Sequence, residues 1–117
     1  MNLDKAKKIN WDWPRFWEET GNDLQLCKEL VELFLVSAKG LIEEMEKALE
    51  KGHLSILKEK AHSLKGAAGT IYLEDVRERA LRIEREDLPP EQYQKLISEI
   101  KVLCNYFADE VQECLSS

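Results

Sequence analysis

The chain has 117 residues, 44% of them apolar and 34% charged, with a formal net charge of −6. That length suits one domain whose core needs no disulfide staples, and the apolar share excludes a disordered chain. The acidic balance argues against a nucleic-acid footprint, and no apolar run approaches the ~18 residues of a membrane span.

Residues 1–10 read as a polar lead-in without the apolar stretch of a signal peptide. Glycine and proline are scarce (5 and 3), while alanine, leucine, glutamate and lysine dominate, which predicts helices throughout. Cys27, Cys104 and Cys114 form an odd set without close pairing, all at apolar helical positions. Reduced core thiols in a cytoplasmic protein are the expectation.

The first predicted element is a short helix carrying Trp13, Phe16 and Trp17, just after Trp11. Asp12 can cap it and Pro14 suits its first turn. So much aromatic surface on a short helix must lie across something else. A second helix starts near Asn22 or Asp23 and runs to about Glu50. Its apolar positions 27, 31, 34, 38, 41, 45 and 48 step by three and four. Its first half carries further leucines (24, 26, 30, 33 and 35), a surplus that could receive the tryptophan segment or serve as a partner-docking patch, with burial the expectation. Lys51-Gly52 ends it.

The third helix is expected from about Leu54 to Tyr72, with Leu54, Leu57, Ala61, Leu64, Ala68 and Ile71 inward. The fourth runs from about Glu74 to Glu86 along Val76, Ala80 and Ile83. Leu88-Pro89-Pro90 breaks the pattern. A last helix follows from about Pro90 to Leu115, with Tyr93, Ile100, Phe107, Val111 and Cys114 on its seam. No segment alternates with the period of a strand, and short connections make sequential helices antiparallel neighbours. The expected fold is all-α: an antiparallel up-down-up-down four-helix bundle with a short N-terminal covering helix.

The third helix carries the chemistry. On a helical wheel His62 lies about 140° from the apolar seam, facing outward. Ser55, Lys58, Glu59, Lys65, Gly66 and Gly69 share that side. Each glycine costs a helix interior about 1 kcal/mol relative to alanine. Two glycines within four positions therefore suggest a surface kept bare for a large visitor. An exposed neutral imidazole is a good nucleophile near pH 7. A lysine at i+3 favours that neutral form by repulsion, and would then attract a phosphoryl group placed on the ring. The sequence offers no adjacent base, oxyanion hole or cleft, so such a site needs a partner. The competing metal reading uses Glu59-x-x-His62 and Glu50-x-x-His53. The first points away from the bundle core, and Gly52 interrupts the second at a helix end.

The run Ala61-His62-Ser63-Leu64-Lys65-Gly66-Ala67-Ala68-Gly69-Thr70-Ile71 resembles the signature of histidine-containing phosphotransfer (HPt) domains. The resemblance extends over nearly the whole chain, through Asn22-Asp23-Leu24, residues 30–35 and Ala48-Leu49-Glu50-Lys51-Gly52. It implies a single HPt domain over residues 1–117, acting as a phosphocarrier in a multistep two-component phosphorelay. His62 is the implied phosphoacceptor and Lys65 the implied partner of the phosphoryl group. Gly66 and Gly69 are the implied small residues admitting the partner, with Ser55, Lys58 and Glu59 beside them for docking. The implied partners are response-regulator receiver domains, with a hybrid sensor histidine kinase as a further candidate. The receiver would supply Mg²⁺ and the acidic pocket, so no cofactor of the chain's own is expected, and a monomer is. A phosphate-independent adaptor that binds receivers without turnover is the alternative. Tyr72-Leu73 departs from the family's frequent Gly-Ala pair, and Thr70 from its frequent asparagine.

Overall fold

The computed structural model describes residues 9–116, and side chains through residue 112. Most of the polar lead-in and the Cys114 side chain lie outside the described residues. Five helices occur in the order α1 (Trp13–Glu19), α2 (Leu24–Glu50), α3 (Leu54–Thr70), α4 (Glu74–Arg85) and α5 (Pro90–Ser116). There is no strand among the described residues, so the all-helical expectation holds. The 27-residue α2 and α5 each span about 40 Å, close to the 43 Å long axis of the molecule.

The caps expected from the sequence set the starts of the first two helices. The Asp12 carboxylate accepts from the amide of Arg15 at 3.3 Å, and Asp23 from that of Leu26 at 3.1 Å. Three helices end alike. After α1, the amides of Gly21 and Asn22 donate to the carbonyls of Glu18 and Trp17. After α2, Gly52 and His53 donate to Leu49 and Ala48; after α3, Tyr72 and Leu73 donate to Gly69 and Ala68. This is the Schellman stop, which puts its first residue beyond the cap in the left-handed region. Gly21 and Gly52 take that position at φ 70° and 72°, but after α3 it falls to Tyr72 at φ 63°.

Tyr72 is held there from the N-terminal side. Its carbonyl accepts from the amide of Asp12 at 2.9 Å, and the Arg15 guanidinium lies 5.3 Å from its ring centroid. The Asn10 carbonyl receives the amides of Glu74 and Asp75, which the side chain of Leu73 cannot cap. A left-handed side chain costs about 1–2 kcal/mol that glycine escapes. We therefore expect Tyr72→Gly to be about 1 kcal/mol more stable than Tyr72→Ala in urea unfolding, the reverse of the usual helical ranking. Equal stability of the two variants would show that the turn carries no strain.

α2 packs on α3 and α5, α3 on α4, α4 on α5, and α1 on α2. The core between them holds Phe34, Met45, Leu57, Leu64, Ile83, Ile97, Ile100 and Phe107, and no buried polar or charged residue among the described ones. The α2 seam is as expected except that Ile42 is buried and Leu41 half-buried. Trp11 precedes α1, donates its indole N–H to the Ile71 carbonyl at 2.8 Å and meets Phe107 edge-on at 4.9 Å. Phe16 is buried; Trp13 and Trp17 are half-buried against the core.

The α2 surplus is buried only in part: Leu30 and Leu35 are half-buried against the core, while Leu24 and Leu26 stay exposed and Leu33 is 63% exposed. Val36 beside them is 73% exposed. The seven-residue α1 is too short to cover them. Leu54, expected on the α3 seam, is exposed as well. Cys27 and Cys104 are buried free thiols, and burial pushes the Cys104 thiol up to about 12. No helix among the described residues is long and apolar enough to cross a membrane.

Candidate functional site

Leu57, Ala61, Leu64 and Ala68 are fully buried and fix the rotation of α3 about its axis. His62, one residue past Ala61, is thereby turned outward, with 65% of its side chain exposed. A Cβ built on Gly66, one turn further, would meet nothing. Neither that glycine nor Gly40 on α2 is required by packing within the chain. Gly69 differs, because its Cβ would touch the Arg77 side chain at 3.6 Å. It lies on the α4 side of the face and is only half-exposed.

The residue missing from the sequence reading is Glu84, on the last turn of α4. One carboxylate oxygen, Oε2, lies 2.5 Å from His62 Nδ1, and the other, Oε1, accepts from Lys65 Nζ at 2.7 Å. Glu84 thus bridges the histidine and the lysine, and the expectation of no nearby base is corrected. The hydrogen bond from Lys65, first, and that from His62 hold the Glu84 carboxyl below its ordinary range, against the opposing effect of burial. An ionised carboxylate only accepts, so Nδ1 carries the proton it shares with Glu84. In the neutral ring, the lone pair then lies on Nε2.

Lys65 does not stand free beside the ring as the sequence reading had it. It is half-buried and already paired. Lys58 departs further from its expected place. Its ammonium reaches over the end of α4 and donates to the carbonyls of Glu86 at 2.9 Å and of Ile83 and Glu84 at 3.4 Å. Ser55 and Glu59 are exposed on α3, Ser55 about two turns before His62. His53 caps α3 without a side-chain hydrogen bond. Among the described residues, no group of three or more His, Cys, Asp or Glu could hold a metal ion.

Toward α2, Lys60 Nζ pairs with Glu44 Oε2 at 2.9 Å. Beyond Gly66, a shallow apolar depression between α2 and α3 is lined by Leu33, Ser37, Ala67 and Thr70. A signal for Glu84 did exist in the sequence. The turn between α3 and α4 is centred on Tyr72, and residues 62 and 84 lie ten and twelve residues to either side, so an antiparallel hairpin brings them nearly level.

No curated protein and no solved structure matched the chain. The family model of the Hpt domain matches residues 29–117, which span most of α2 and all of α3, α4 and α5, with His62, Lys65, Gly66, Gly69 and Glu84 among them. An outward imidazole on a bare helix face, within a match over three-quarters of its length, places the chain in the Hpt-domain family.

Proposed function

We propose that His62 accepts a phosphoryl group on Nε2 from the aspartyl phosphate of a receiver domain and passes it to a second receiver. Membership of the Hpt family carries histidine phosphotransfer in phosphorelays. The observation that favours His62 as acceptor is the hydrogen bond to Glu84, which leaves the exposed Nε2 as the nucleophile. In the transfer an N–P bond forms at Nε2 while the P–O bond of the aspartyl phosphate breaks, and the receiver keeps its carboxylate. The ring becomes positively charged as the bond forms, with its proton still on Nδ1. The Glu84 carboxylate stabilises that charge, as the acid partner of a catalytic histidine does. Lys65 uses one of its three N–H donors on Glu84 and offers the others to the phosphoryl oxygens.

The docking surface in this reading is the outer face of α2 and α3. Gly40, Gly66 and Gly69 keep it low, Ser55 and Glu59 provide polar contacts at one end, and exposed Leu33 and Val36 provide apolar contact at the other. The receiver brings Mg²⁺ and its own acidic pocket, and the chain needs no cofactor of its own. A hybrid sensor kinase bearing such a receiver is a fitting donor. In this reading the described residues form one domain of a cytoplasmic monomer, in which α2–α5 make an up-down-up-down bundle covered by α1. The closed ring of contacts from α2 through α5 and back to α2 supports that topology.

The test is incubation with a phosphorylated receiver and Mg²⁺, followed by intact-mass measurement. The chain should gain one phosphoryl group that is lost in acid and kept in alkali. Receiver binding without any mass gain would replace this reading by that of a phosphate-independent adaptor.

A further inference from the structure

The end of α4 lacks the stop that closes α1, α2 and α3. Its cap residue Glu86 is extended, at φ −96° and ψ 141°, so no left-handed residue gathers the last carbonyls. Lys58 of α3 takes over that task. Its ammonium donates to the carbonyls of Ile83, Glu84 and Glu86, lies 3.6 Å from Asp87 Oδ1, and sits 5.6 Å from the Tyr93 ring centroid. Tyr93 grips the same turn from α5. Its hydroxyl donates to the Glu86 carbonyl at 2.7 Å and accepts from the Leu88 amide at 3.2 Å. Glu84 lies inside this knot, with its own carbonyl bound by Lys58 and its carboxylate reaching back to His62 and Lys65.

Lys58 and His62 are one turn apart on α3, at i and i+4. The anchor of the Glu84 backbone and the target of its carboxylate are therefore carried by the same rigid helix. We infer that Lys58 is a positioning residue for phosphotransfer: by tying the last turn of α4 to α3, it holds Glu84 where its carboxylate keeps the proton of His62 on Nδ1. This rests on His62 being the acceptor. It replaces the docking role expected for Lys58, whose ammonium is committed to carbonyls of its own chain.

Lys58→Met keeps the stem and removes the donors, and Lys58→Arg restores donors. The chain has two histidines, so the ¹⁵N ring signals of His62 are read directly, with His53 as internal reference. Lys58→Met should lower the share of Nδ1–H tautomer at His62 and slow phosphoryl acceptance about fivefold, the scale of coupling within one hydrogen-bond network. Lys58→Arg should recover most of both. In a Glu84→Gln background, Lys58→Met should add less than about twofold, since its effect runs through Glu84. A Lys58→Met protein with wild-type ring signals would overturn the inference even if its unfolding midpoint fell, because that pattern belongs to a purely structural cap. A fivefold loss that persists in the Glu84→Gln background would overturn it as well. A wild-type chain that accepts no phosphate would instead refute the phosphotransfer reading, and the ring signals would still decide what Lys58 does to His62.

Discussion

Replacing His62 by glutamine should abolish acid-labile phosphorylation and leave the fold intact. The imidazole is 65% exposed and its one polar contact among the described residues is with Glu84. Glutamine has similar bulk and an amide that can donate to the same carboxylate, so the Glu84–Lys65 pair has no reason to separate. Surface changes of this kind shift stability by about 0.5 kcal/mol or less. The nucleophile itself has no substitute. His53 lies at the turn between α2 and α3, nine residues earlier and about two and a half turns away, and among the described residues no carboxylate pairs with its ring. Intact mass after incubation with a phosphorylated receiver measures the first effect, and thermal unfolding by circular dichroism the second. A His62→Gln variant that still gains an acid-labile phosphoryl group would remove His62 from the mechanism. One that no longer unfolds cooperatively would show that the imidazole is structural.

The helices were legible because their signals are local. Asp12, Asp23, Gly52 and Pro89-Pro90 each act within a few residues of where they stand, and steps of three and four define each buried face. Where two adjacent residues are apolar, as at Leu41 and Ile42, periodicity alone cannot choose between them. Packing against α3 and α5 decides for Ile42. The outward face of His62 followed from the same periodicity. Glu84 did not, because α4 is crowded with arginines and glutamates whose partners within the helix are equally good on paper. Arg77 pairs with Glu74, and Arg82 with Glu86, as local spacing suggests. Glu84 instead pairs across helices, which depends on the register of the α3–α4 hairpin. Lys58 misled for a different reason. Its backbone does face outward, but four methylenes let its ammonium swing to carbonyls that a wheel does not show. The exposed leucines of α2 show the limit from the other side. Composition gives the amount of apolar surface, but not which part of it the seven residues of α1 can reach.

Glu84→Gln should slow phosphoryl acceptance about tenfold to a hundredfold. That range corresponds to about 1.5–3 kcal/mol for a hydrogen bond to a charged group. The substitution preserves shape and removes charge. It also replaces an obligate acceptor with an amide that can donate to Nδ1, which favours the tautomer carrying its proton on Nε2, where the lone pair is needed. Lys65 loses its partner at the same time, so its ammonium turns to solvent or to the phosphoryl group. The effect on stability has a defined pH window. The Glu84 carboxyl is held below its ordinary range by Lys65 first and by His62. In the interval between its folded and unfolded values, the unfolded chain binds more protons, so stability rises with pH there. The contribution is therefore complete above the ordinary carboxylate range and lost as pH falls through the depressed folded value. Urea unfolding midpoints of wild type and Glu84→Gln should differ at pH 7 and converge on acidification, because a protonated Glu84 is nearly isosteric with glutamine. A gap that stays constant down to about pH 3 would mean that the carboxylate charge contributes nothing to the fold. An unchanged transfer rate at neutral pH would mean that His62 needs no acid partner. Only the two effects together, a rate that needs the charge and a stability that titrates with it, fit a carboxylate that serves α3 as both anchor and electrostatic support.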